Sequence, residues 1–170
     1  MPNYRRLLHP GGSYFFTVVS EGRRRILTDA AFRHNLRFAI QRVRARYPFD
    51  IIAFVLLPDH LHTIWTLPEG DSNFPLRWRL IKGLVTHQGG QNSPWQHRYM
   101  EHWLRSEEDF RQHFNYLHWN PMKHGLVARV VDWPWSTFHR YIAEGIYTVD
   151  WCGDAFSGGS MIRPTTPHLE

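Results

Sequence analysis

Residues 55–65, "VLLPDHLHTIW", constrain the fold of this chain more than any other stretch. The run from Phe49 to Leu57 is rich in aromatic and β-branched residues, which suit a pleated surface, and Pro58-Asp59 is turn chemistry. The stretch therefore reads as a hairpin with His60 and His62 just past its bend. Side chains alternate faces along a strand, so both imidazoles share one face while Leu61 enters the opposite layer. A tight turn sets the register, and the register sets which face the histidines occupy. Two imidazoles on one face can share a metal ion, although two ligands do not make a site. The same residues also fit a solvated or hydrogen-bonded sheet face that holds no ion.

A chain of 170 residues is large enough to bury a core as one domain. Cys152 is its one cysteine, which excludes an intramolecular disulfide framework and suits a reducing compartment. The longest apolar run, Ile51 to Leu57, is too short to span a bilayer, and the first residues lack a signal-peptide pattern, so a cytoplasmic protein is expected. Net charge is +5 and the pI about 9.7, with 15% aromatics and eight tryptophans. Basic charge interleaved with rings suits a polyanion whose bases can stack, nucleic acid before membrane. Arginines that merely solvate helix faces would give the same totals.

Residues 1–12 read as a polar surface arm carrying Arg5, Arg6 and His9, and Ser13 to Ser20 as a strand, followed by Arg23, Arg24 and Arg25 in a loop. From Asp29 to Tyr47, Phe32, Leu36, Ile40, Val43 and Tyr47 recur with helical period; Thr28 is the expected N-cap and Pro48 the stop. A second helix is expected over 75–87, with Leu76, Leu80 and Leu84 inward and Arg77, Arg79 and Lys82 outward. Trp95 to Met100 alternates like a strand, while spacing assigns nothing to Glu101 and His102.

Ser106 followed by three acids opens a further helix by capping and by charge on the helix dipole. Phe110, Phe114 and Leu117 form its core stripe, and His113, Tyr116 and Asn120 stand in one row on another face. Pro121 is expected to end this helix directly after Asn120, with Gly125 permitting a turn. "DWPWSTF" and "HRYIAEG" read as a turn and a short helix capped near Gly145, with Trp133 and Trp135 as core or lid. The last fifteen residues lack periodicity and are expected to be disordered. A lone tyrosine is ordinarily a packed ring. Beside a strand bearing two histidines and an amide one turn on, Tyr116 also fits phosphoryl transfer.

The segments "LLPDHLHTIWTLPEGD", "RWRLIKG", "WQHRYMEH" and "FNYLHWNPMKHGLVARVVDWPWSTFHRYI" together resemble the REP-associated tyrosine transposases, a branch of the single-tyrosine transposases in the HUH (His-hydrophobic-His) nuclease superfamily. The similarity runs from about Tyr4 to Asp154. It implies a transposase domain over 1–154 of the α+β class, a ferredoxin-like sandwich with a central antiparallel sheet and helices packed on it, followed by a tail over 155–170. It further implies a divalent ion, Mg²⁺ or Mn²⁺, on His60, His62 and Asn120, with Tyr116 as nucleophile; Lys123 and His113 are candidate assisting groups, and the general base is unassigned. Many relatives carry glutamine where Asn120 stands; the shorter amide offers a hard ion the same oxygen. A second tyrosine frequent in the family is replaced here by Trp119, and the segment between Lys82 and Trp95 is shorter than usual.

The implied partner is single-stranded DNA folded as a hairpin with a flanking tetranucleotide, cut and rejoined through a 5′-phosphotyrosine. Candidate phosphate contacts are Arg5, Arg6, Arg23, Arg24, Arg25, Arg77, Arg79 and Lys82. A monomer is favoured over a homodimer. Two other readings stand beside this one: a metal phosphodiesterase using water as nucleophile, and a non-enzymatic binder of single-stranded nucleic acid.

Overall fold

The computed structural model describes residues 8–90 and 92–153. Its elements run β1 (Ser13–Val19), a 3₁₀ turn (Glu21–Arg23), α1 (Ala30–Arg46), β2 (Asp50–Leu56), β3 (His60–Thr66), α2 (Phe74–Gly89), β4 (Met100–Trp103), α3 (Glu107–Lys123), a second 3₁₀ turn (Val130–Asp132) and α4 (Phe138–Ala143). All strand pairs are antiparallel, in the order β2-β3-β1-β4. The first six major elements follow the βαββαβ plan of ferredoxin-like sandwiches, with α3 and α4 added.

Alternation along the strands divides the core into two layers. Tyr14, Phe16 and Val18 of β1 and Leu61 and Trp65 of β3 face α1 and α2. Phe15, Val55 and Ile64 face α3 and α4, meeting Phe110, Phe114, Leu117, Phe138 and Tyr141. The exposed edge of β2 is covered where Leu56 N–H donates to Trp135 C=O (2.9 Å) and Thr137 N–H to Phe54 C=O (2.9 Å). That cover keeps the edge from pairing with another chain. Trp133 is buried and donates its indole N–H to Leu56 C=O at 2.9 Å, so it belongs to the core.

Several local expectations change. Helix α1 begins after Asp29, not Thr28, because Asp29 has the extended backbone of a cap and its carbonyl accepts from Arg33. Helix α2 turns a different face inward: Phe74, Arg77, Trp78, Ile81 and Val85 are buried, and Trp78 stacks on Trp65 at 4.3 Å. A large ring stacked on the sheet outweighs the leucine stripe, leaving Leu80 and Leu84 at the margin. The fourth strand lies later than the alternation of 95–100 suggests. Met100–Trp103 pairs with β1, whereas Trp95 makes only an isolated bridge to Ser20 and buries its ring against Phe32.

Helix α3 is capped as the sequence predicts, Ser106 Oγ accepting from Asp109 N–H at 3.1 Å. It does not stop at Pro121. Proline's fixed φ fits a helix, so what the chain gives up there is one donor and some crowding of the preceding turn. Burial of Pro121 and the bond from His124 N–H to Asn120 C=O at 3.0 Å carry the helix through Lys123. The expected disorder of the tail concerns residues outside those described.

Candidate functional site

The register of β1 on β3 places Thr17 opposite His62 and Val19 opposite His60, all on the α3 face. His60 Nδ1 lies 2.7 Å from Asp59 Oδ1, and Asp59 Oδ2 accepts from Arg23 Nη1 at 3.2 Å. His62 Nδ1 lies 2.8 Å from Thr17 Oγ1. Each imidazole is thus held by its Nδ1, which leaves Nε2 to face the cleft; the two rings are 4.9 Å apart. Asp59, in the turn just before β3, orients His60. His62 is buried, and burial first, then the charges of His60, His124 and Lys123, pull its pKa down to about 3 against the nearby Asn120 amide. It is a neutral ring with a lone pair to give.

Helix α3 covers this face. The Tyr116 ring is 5.6 Å from His62, and Phe15 lies beneath both, at 6.2 and 5.2 Å. Lys123 donates from Nζ to the Tyr116 hydroxyl at 3.0 Å and sits 4.7 Å from the ring centre. Burial, the largest influence on the Tyr116 hydroxyl, raises its pKa. The Lys123 hydrogen bond, the Asn120 amide and the Lys123 charge together outweigh burial and bring the pKa below that of a free phenol. This contact needs the helix to run past Pro121: Tyr116, Asn120 and Lys123 are spaced by four and three, hence on one face.

Asn120 is fully buried, and neither atom of its amide makes a well-formed hydrogen bond; His62 Nε2 is buried and unpartnered too. Buried polar groups are rarely left so. One imidazole lone pair and one amide oxygen, both dry and close to each other, with His60 Nε2 alongside, match a small divalent cation. The residues fit such an ion. His124, which spacing did not single out, lines the same cleft with its ring 5.1 Å from His60; burial, then His60 and Lys123, lower its pKa.

The cleft holds about 550 Å³ and is lined by Phe15, Thr17, Arg23, His60, His62 and Tyr116, among others. Of the candidate phosphate contacts, Arg23 reaches it, and Arg24, Arg25 and Arg79 are exposed elsewhere. Lys82 donates to the carbonyls of Gln96 and His97, which ties α2 to the segment after it. Arg77 is not a surface cation. It is 1% exposed, pairs twice with Asp71 (3.1 and 2.7 Å) and donates to the carbonyls of Tyr47, Pro48 and Asn73. Arg5 and Arg6 lie outside the described residues. His113 lines the cleft, but its Nδ1 is engaged by Asp109, at 2.8 Å from the backbone oxygen and 3.1 Å from the carboxylate.

Sequence reasoning missed Thr17, Asp59 and His124. Thr17 could be found only from the register, and Asp59 only from the shape of the turn; a histidine in "NPMKHG" was visible, but its place depended on how far α3 runs.

No protein-family model matches the chain. It is 49% identical over 164 residues to a REP-associated tyrosine transposase of Escherichia coli (strain K12), covering 95% of this chain and 99% of that one. A Haemophilus influenzae protein provisionally given the same name is 38% identical over 169 residues, covering 91% and 95%. A solved structure described as a REP-associated tyrosine transposase bound to a REP hairpin superposes with a TM-score of 0.85 at 48% identity, covering 95% of this chain and 99% of that one.

Proposed function

The chain belongs to the REP-associated tyrosine transposases, and we propose that it cuts and rejoins hairpin-bearing single-stranded DNA through a 5′-phosphotyrosine on Tyr116. The observation that carries this reading is the Lys123 ammonium on the Tyr116 hydroxyl, beside the unpartnered His62 Nε2 and Asn120 amide. Tyr116 Oη attacks the scissile phosphorus, the P–O3′ bond breaks, and the leaving 3′-oxygen takes a proton. Lys123 favours the phenolate through its hydrogen bond and charge. His60, His62 and Asn120 would hold Mg²⁺ or Mn²⁺, which supplies charge to the non-bridging phosphate oxygens. Thr17 and Asp59 fix the ring orientations that this requires. Because the phosphodiester energy is kept in the tyrosyl link, an incoming 3′-hydroxyl can reverse the step and join strands.

Nucleophile and ligands all come from one chain, which supports action as a monomer. None of the described helices is long and apolar enough to cross a membrane, and a cytoplasmic site of action follows from a DNA substrate.

The test uses a hairpin oligonucleotide labelled at either end, with Mn²⁺, on a denaturing gel. A covalent adduct is expected with the 3′-labelled strand alone, lost in Tyr116→Phe and in EDTA. Cleavage that persists in Tyr116→Phe would identify a water-using phosphodiesterase, and binding without cleavage a non-enzymatic module.

A further inference from the structure

Strand β4 and the start of α3 carry a side-chain cluster that reaches the cleft only through His113. His102 projects from β4; Asp109 and His113, four residues apart, share one face of α3. His102 Nε2 is 2.9 Å from Asp109 Oδ2, and His113 Nδ1 is 3.1 Å from Asp109 Oδ1. The two imidazoles stack at 4.5 Å, and one ligand atom from each of the three residues lies within 4.8 Å of the others. We propose that His102 Nε2, the Asp109 carboxylate and His113 Nδ1 form a second metal site, separate from His60 and His62, that takes a zinc-type divalent ion and ties the edge strand to the helix bearing Tyr116.

Two imidazoles and one carboxylate are a common three-ligand set for Zn²⁺, with further positions left to water. Ligands about 2.0–2.2 Å from one ion, at angles between square and tetrahedral, stand about 2.9–3.5 Å apart. The observed 2.9 and 3.1 Å, measured to the two different carboxylate oxygens of Asp109, fall within that range, so each imidazole already stands at ligand spacing from the carboxylate and the ion enters by rotation of the side chains. The side chains are partly exposed, at 41% for His102, 27% for His113 and 21% for Asp109, which leaves a way in from solvent. Nitrogen ligands favour zinc over the harder magnesium. Both rings must offer lone pairs, so their protons reside on His102 Nδ1 and His113 Nε2, and His113 gives up its bond to the Asp109 carbonyl. Arg105 N–H, 3.0 Å from Asp109 Oδ2, holds the carboxylate in place meanwhile.

The alternative is a hydrogen-bonded trio in which Asp109 accepts from both rings. Metal analysis decides between them. Protein stripped with chelator and carrying His60→Ala and His62→Ala is dialysed against Zn²⁺, and bound zinc and the melting temperature are read. One zinc per chain and a rise of about 4 °C are expected, both lost when His102→Ala or His113→Ala is added. No zinc in the double variant, or zinc retained in full after His102→Ala, overturns the proposal. If the double variant does not fold, wild type against His102→Ala carries the same comparison. Loss of one equivalent supports the site and unchanged stoichiometry overturns it.

Discussion

At the scale of single residues, the site depends on groups that position its histidines as well as on the histidines themselves. Thr17 and Asp59 hold the Nδ1 atoms of His62 and His60. Removing such a partner typically costs about 10–100-fold in metal affinity. Thr17→Val and Asp59→Asn should each raise the Mn²⁺ concentration for half-maximal adduct formation by that factor, with the adduct still on Tyr116. Lys123 acts on the other reactant. Its hydrogen bond and charge lower the Tyr116 pKa, so Lys123→Met raises it, and each unit removes about tenfold of the phenolate present at neutral pH. Adduct formation should slow at pH 7 and recover as pH is raised, which a pH series of single-turnover rates would display; Lys123→Arg should stay closer to wild type.

At the scale of elements, α3 is the part most exposed to a small error in reading. Its start was legible, since Ser106 and the acids behind it satisfy free N–H groups and the helix dipole. Ser106→Ala should cost about 1 kcal/mol in urea unfolding. Its end was not legible. A proline one residue after the last expected position ordinarily stops a helix, yet Pro121 is buried and the helix holds a further turn, and only that turn delivers Lys123 to Tyr116. In α2 the error was one of face: leucines at period four looked like the core stripe, but the stacking of Trp78 on Trp65 decided the rotation. That rotation drew Arg77 inside.

At the scale of the whole molecule, the basic charge divides into a structural part and a part available to DNA. Arg77→Ala leaves the Asp71 carboxylate and several carbonyls without their donor, and should cost about 3 kcal/mol of stability while leaving the salt dependence of DNA binding unchanged. Arg23, Arg24, Arg25 and Arg79 should behave in the opposite way. If about four phosphates are neutralised, log affinity should fall against log salt with a slope of roughly −2.8 to −3.6, and each alanine substitution should flatten it by about 0.7–0.9. Stability against acid tests the second core layer. His118 is fully buried among Phe114, Thr137 and Tyr147, and burial, with the Arg140 charge adding, draws its pKa down to about 3 against the Phe114 carbonyl. The unfolded chain takes up this proton near pH 6.5 while the folded one does not. Stability present above pH 6.5 is therefore lost as pH falls toward about 3, approaching about 1.4 kcal/mol per pH unit. The difference between urea midpoints at pH 7 and 5 should shrink in His118→Gln, His62 keeping the remainder.

Local chemistry was enough for the sequence by itself to determine the β2–β3 hairpin, the shared face of His60 and His62, and the row of Tyr116 and Asn120, because period and turn residues act over a few positions. Tertiary structure decided what brings the strand and the helix together and which cations remain outside. Thr17 meets His62 through a register between strands 45 residues apart, Lys123 meets Tyr116 through a helix that burial extends, and Arg77 is removed from the surface by a tryptophan stack. Each is a contact whose energy arises only once distant segments have packed.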